Sequence, residues 1–153
     1  MTQGEDKKLL FIDLSARLPY HVRLKIWLKD GTTEEGFLDL EHNYADVLRD
    51  AFYYNKIIDI KPYLRPLSSM TEEEILELYK ITYDTWYSDS LYYKNEEWIN
   101  FRDSIKNNNL CFKTCIWLSD INKVIDWLNA RHFDYHGLIS KGLALEAPEG
   151  MYK

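Results

Sequence analysis

Apolar and polar side chains alternate along residues 21–29, with Val22, Leu24, Ile26 and Leu28 on one side and His21, Arg23, Lys25 and Lys29 on the other. A period of two is that of a half-buried β-strand. Asp30-Gly31 follows, a dipeptide that accepts the positive dihedrals of a tight hairpin, so residues 32–41 are expected to return as a second strand. Gly36 inside that strand suggests a bulge or bend of the kind a small barrel needs in order to close. Ahead of the hairpin, residues 7–18 carry Leu9, Leu10, Phe11, Leu14 and Leu18 and predict a short amphipathic helix or extended arm that Pro19 ends. Residues 43–51 fit helix and strand equally well, whereas the aromatic and β-branched run over 52–60 predicts a strand, with Pro62 and Pro66 making 61–66 an irregular turn.

Beyond residue 66 the period changes to that of helices. Ser69 with Glu72, and Thr71 with Glu74, have the capping-box spacing, and the helix they open is expected to reach Tyr87. Its apolar half carries Ile75, Leu76, Leu78, Tyr79, Tyr83 and Trp86. Residues 95–105 predict another helix, with Trp98, Phe101 and Ile105 as its stripe and the asparagines at 107–109 as its stop. The short apolar run over 110–118 suggests a buried strand. Ser119 is then placed to cap a helix in which Ile121, Val124, Ile125 and Leu128 recur at core spacing while Asn129 faces water. A short helical turn over 135–141 follows, with Gly142 positioned to end it in the left-handed conformation. The whole predicts an α+β fold: a small antiparallel Sm-like β-barrel with an N-terminal arm over 1–66, and a helical region with a C-terminal tail over 67–153 packed on it as one compact unit.

Two stretches, KPYLRPLSSMTEEE in mid-chain and HFDYHGLISKGLALEAPEGMYK at the end, together about a quarter of the sequence, carry a resemblance. They resemble a family of small uncharacterised proteins encoded in phages and mobile elements of gut Bacteroidales. In that family arginine usually stands where this chain has His136, and glutamate where it has Ser140. The resemblance implies a setting, a bacterial cytoplasm and an accessory gene, and brings no biochemical activity with it.

Composition narrows the classes of function. With 153 residues, 46% of them hydrophobic and 29% charged, the chain can bury one ordinary core and not two large ones. A net charge of -6 argues against a dedicated duplex-DNA binder, which needs lysine and arginine to neutralise phosphates. No apolar run approaches membrane-spanning length and the first residues lack a signal-peptide core, so a soluble cytoplasmic protein is expected, with Cys111 and Cys115 as thiols. The 12 tyrosines and 5 tryptophans are more rings than so small a core hides, which points to an interface as well as to packing.

Reactive constellations are thin. Cys111, Cys115, His132 and His136 imitate a two-cysteine, two-histidine zinc pattern, but the cysteines lie in an apolar run and the histidines straddle a helix end. The plainer reading makes His132 a helix C-terminal cap and the cysteines small hydrophobes. Ser140 with a histidine and Asp134 lacks the strained GxSxG elbow of a nucleophile, and the 6 glycines form no phosphate loop. No catalytic residue, metal or cofactor is therefore expected.

The leading expectation is a non-enzymatic protein–protein interaction module with a host or phage protein as partner, homo-oligomers being compatible with it. Tyr83, Trp86 and Tyr87, with Phe133, Asp134 and Tyr135, are the candidate partner-binding residues, against the plainer reading that the last three serve the fold. The alternative is a single-stranded nucleic-acid binder in which Arg23, Lys25, Trp27 and Lys29 form one strand face, cations flanking a ring on which a base can stack.

Overall fold

A computed structural model describes residues 3–38, 57–83, 96–110 and 118–152. The N-terminal segment is helical, α1 spanning Gln3–Arg17, and a 3-10 turn over Leu18–Tyr20 containing Pro19 ends it, with His21 in the left-handed region at φ 52. The alternating run forms β1, Val22–Leu28, and the hairpin returns as β2, Thr33–Leu38. Gly31 at φ 87 supplies the turn, and the Asp30 carboxylate accepts hydrogen bonds from the Thr32 amide at 2.9 Å and its hydroxyl at 2.6 Å. Such a side-chain-to-backbone loop is what makes aspartate a turn residue.

β3, Ile57–Leu64, lies antiparallel to β1, and the two-residue β4, Leu145–Glu146, lies parallel to β3. The sheet order is β2-β1-β3-β4, and it is open. The expected closed Sm-like barrel is not what these strands make: β2 and β4 are the two ends, and among the described residues no strand joins them. Gly36 pairs in register with Leu24, so the bend expected there is not made; the irregularity falls instead between Trp27 and Leu28, against β3. Among the described residues one end strand, β4, is only two residues long.

Pro62 does not end β3 as expected, because of which way its missing donor points. The Leu28 amide donates to Thr32 across the hairpin, which sets the phase: Val22, Leu24 and Ile26 turn their peptide groups to β2, and Arg23, Lys25 and Trp27 turn theirs to β3. Leu24 opposite Pro62 is then a pair without ladder bonds between β1 and β3, so the proline ring removes none of them.

The chain forms two compact units, one of Met1–Leu64 with His136–Lys153 and one of Arg65–Tyr135. The C-terminal segment therefore belongs with the sheet, where the sequence suggested the helical region. In the first unit Leu14 of α1, Val22, Leu24, Ile26, Leu38, Ile60 and Leu64 of the sheet, and Leu138 and Ala144 share one core. Among the described residues no helix is long and apolar enough to cross a membrane.

The second unit has three described helices, α2 over Glu72–Tyr83, α3 over Glu96–Lys106 and α4 over Leu118–Ala130. Of the two capping boxes, the one at Thr71 is real: the Thr71 hydroxyl accepts the Glu74 amide at 3.2 Å and the Glu74 carboxylate accepts the Thr71 amide at 2.9 Å. Ser69 instead donates its hydroxyl to the Pro66 carbonyl within a 3-10 turn, Leu67–Ser69. Tyr79 meets Trp98 and Phe101 edge-on, both at 5.4 Å between ring centroids.

α4 begins at Leu118, so Ser119 lies inside it, not at its cap, and Leu118 is helical where a strand was suggested. Its buried face is Val124, Trp127, Leu128 and Asn129, while Ile121 is exposed. The helix ends in a paired closure, Phe133 amide to Leu128 carbonyl and His132 amide to Asn129 carbonyl, with His132 left-handed at φ 59. α3 ends alike at Asn108, and Gly142 closes a turn over 138–141, which is a series of turns where a short helix was expected.

Candidate interaction surface

The phase of β1 that buries Leu24 and Ile26 puts Arg23, Lys25 and Trp27 on the opposite face of the sheet, which faces away from the core. Register fills in the rest of that face. Phe37, Glu35 and Thr33 of β2 stand opposite Arg23, Lys25 and Trp27, and Lys61 and Asp59 of β3 stand opposite Lys25 and Trp27 on the other flank. Trp27 is the centre of a cationic frame: the amines of Lys25 and Lys61 each lie 5.6 Å from its ring centroid. The Arg23 guanidinium lies 5.4 Å from the Phe37 ring, which is 52% exposed. Cations within about 6 Å of a ring centroid are attracted to its face. Lys29 sits past the end of β1 in the hairpin turn, exposed, and is the one member of the expected strand face that the strand does not carry.

The face also bears acids. Asp59 lies 3.4 Å from the Lys61 amine, and Glu35 accepts a hydrogen bond from the Tyr63 hydroxyl at 2.9 Å. Burial of the Tyr63 phenol, with the Glu35 carboxylate beside it, pushes its pKa above the ordinary value. Tyr63 thus remains a neutral donor that joins β3 to β2 across β1.

Under the sheet, on the α1 side, lies a buried polar cluster. Arg17 donates through Nε to Asp13 Oδ2 at 2.7 Å and through Nη2 to Oδ1 at 3.0 Å, and both side chains are fully buried. His136 Nδ1 lies 3.0 Å from Asp13 Oδ1, with its ring 27% exposed. Burial pushes the Asp13 carboxyl up, but the hydrogen bonds from His136 and Arg17 outweigh it and hold the pKa below the ordinary carboxylate value. An ionised carboxylate only accepts, so the Nδ1–H of His136 is the donor. Nothing in the spacing of residues pointed to this cluster beyond an acid and a base four apart beside the apolar stripe of α1.

The residues expected to bind a partner through the motifs are placed differently. Phe133 is fully buried, stacked on Trp127 at 5.8 Å, with the Arg65 guanidinium 4.2 Å above its ring and the Arg131 guanidinium 4.2 Å from Trp127. Arg65 is itself fixed by two bonds to Glu74, at 2.8 and 2.9 Å, and Arg131 by Glu77. Asp134 is buried and Tyr135 half-buried against the same core. Phe133, Asp134 and Tyr135 thus serve the interior of their unit. Tyr83 is the last residue of α2, and Trp86 and Tyr87 lie outside the described residues.

The two motifs are joined by backbone. In one unit the Arg65 amide donates to His132 and the Asp134 amide to Arg65, each at 2.8 Å; in the other Ala147 donates to Leu64 at 2.8 Å beside the β3–β4 pair. Their residues are in large part those that splice mid-chain to C-terminus.

For metal chemistry, Cys111 and Cys115 lie outside the described residues, and among the described ones no group of three or more histidines, cysteines or carboxylates could hold an ion. His136 is engaged with Asp13, and the Ser140 hydroxyl donates to the Gly137 carbonyl at 2.9 Å. Known protein families, curated proteins and solved structures offer no match to this chain.

Proposed function

We propose that this chain is an accessory protein-binding module without chemistry of its own, and that it works through the open face of its sheet. The observation that carries this reading is Phe37, a ring 52% exposed on a strand, opposite Arg23 and on the same face as Trp27, which lies four positions further along β1. Large rings and arginine at the centre of a flat patch are what binding hot spots are made of. Charges of both signs around the rings, Arg23, Lys25 and Lys61 with Glu35 and Asp59, suit a protein partner with its own mixed charge better than a chain of phosphates.

The test is recovery of a stoichiometric partner from extract of the encoding organism, followed by its purification and titration. Trp27→Ala with Phe37→Ala is expected to weaken it at least about tenfold, since each hot-spot ring contributes about 2 kcal/mol or more. Ile121→Ala, on an exposed position of α4, serves as the control. Equal affinity of all three proteins overturns the reading.

A second reading is favoured by one observation, the pair of lysine amines flanking Trp27. A base stacked on Trp27 with its phosphates near Lys25, Lys61 and Arg23 makes a short single-strand site. With about three phosphate contacts the logarithm of affinity should fall with that of salt at a slope of about -2. Absence of binding to a single-stranded oligonucleotide at low salt removes it.

A further inference from the structure

We infer that the free edge of β2 takes an extended basic peptide as an added strand. This rests on the reading of the same sheet as a protein-binding surface and adds the chemistry of the partner.

The phase of the hairpin decides which peptide groups are open. Since Glu34, Gly36 and Leu38 pair toward Ile26, Leu24 and Val22, the amides and carbonyls of Thr33, Glu35 and Phe37 point the other way, off the end of the sheet. Among the described residues no strand lies there. Three donors and three acceptors in a row are a template for one more strand. The side chains of those three residues also lie on the open face, so a strand added at the edge extends the surface that Trp27 and Phe37 form.

Natural edges are usually blunted by proline, by a bulge or by lysine. β2 has none of these in Thr33–Leu38; what it has is Glu34 and Glu35, both exposed and on opposite faces. That filter is selective in sign. A second copy of the chain pairing edge to edge sets the exposed Glu34 carboxylates of two acidic chains against each other, a like-charge contact that destabilises cross-strand pairs. Glu35 is turned inward to Tyr63, so the carboxylate free at the edge is that of Glu34; a strand with lysine or arginine at alternate positions meets it on one face, and the net charge of -6 favours its approach.

The experiment uses the full chain with an acetylated eight-residue peptide of alternating lysine and threonine, and reads amide hydrogen exchange by NMR. Exchange at Thr33, Glu35 and Phe37 is expected to slow by about tenfold or more as peptide is added. Glu34, Gly36 and Leu38, already paired, are expected to change little. A peptide with glutamate in place of lysine, and one with methylated backbone amides, should leave all six unchanged, and Glu34→Lys should reverse the preference. Unchanged exchange at Thr33, Glu35 and Phe37 with millimolar lysine peptide overturns the inference. If that peptide instead perturbs only the Trp27 and Phe37 rings, the edge is wrong while the protein-binding face stands. If a thymidine oligonucleotide perturbs Trp27 with steep salt dependence and the peptide does nothing, the underlying reading falls too.

Discussion

The hydroxyl of Tyr152 donates to the backbone carbonyl of Tyr63 at 2.8 Å and accepts the amide of Arg23 at 3.0 Å. The bridge falls one position past Leu24 and Pro62, the last residues that β1 and β3 pair directly, and it holds the strands together while β3 turns to β4. Burial pushes the Tyr152 phenol up to about 12. Tyr152→Phe leaves a partly buried donor and acceptor without their partner and is expected to lower unfolding free energy by about 1–2 kcal/mol in urea titration.

The same phenol fixes the alkaline limb of stability. Its pKa is raised in the folded protein above the ordinary value of 10.0, so its contribution is complete below that value and is lost as pH rises toward about 12. Melting temperatures between pH 9 and about 12 should therefore fall more steeply for the parent than for Tyr152→Phe. Parallel curves would assign the alkaline loss to other groups.

Asp13 is expected to govern the acid limb. Its pKa is lowered in the folded state, so its stabilisation is present above the ordinary 3.8 and disappears as pH falls through the folded value. Asp13→Asn leaves the Arg17 guanidinium buried without its counter-charge, a change that costs about 3–5 kcal/mol. His136→Ala, at a partly exposed ring, should cost less, and His136→Arg, which keeps a donor and puts a fixed charge beside Asp13, less again. Equal losses from Asp13→Asn and His136→Arg would contradict this ordering.

In the second unit, Phe133→Ala is expected to cost about 3–5 kcal/mol, because a fully buried ring between Trp127 and Arg65 leaves a cavity. Glu74→Ala should cost about 1–2 kcal/mol, since it opens the capping box and releases Arg65 together. Glu74→Gln, which can keep the box but not the charge, separates the two contributions by chemical denaturation.

What was legible in the sequence was local. Thr71 with Glu74, Asp30-Gly31, the alternation over 22–28 and the stripe Trp98, Phe101, Ile105 each state their structure within a few residues, and each is found. The open sheet was not legible, because β4 is set by pairing across most of the chain. Pro62 misled for a related reason: whether a proline breaks a strand depends on which neighbour its peptide group faces. The face of Arg23, Lys25 and Trp27 could be seen from one strand, but Lys61 and Phe37 join it only through register. Asp13 and His136 are 123 positions apart and Arg23 and Tyr152 are 129, so no local pattern announces them.

The most direct measurement is the NMR footprint of the purified partner on the full chain. The account predicts that amide and side-chain shifts move at Arg23, Lys25, Trp27, Glu35, Phe37 and Lys61 and that the buried residues of α2–α4 stay in place. Perturbation centred on the helical unit, with Trp27 and Phe37 unmoved, would contradict it.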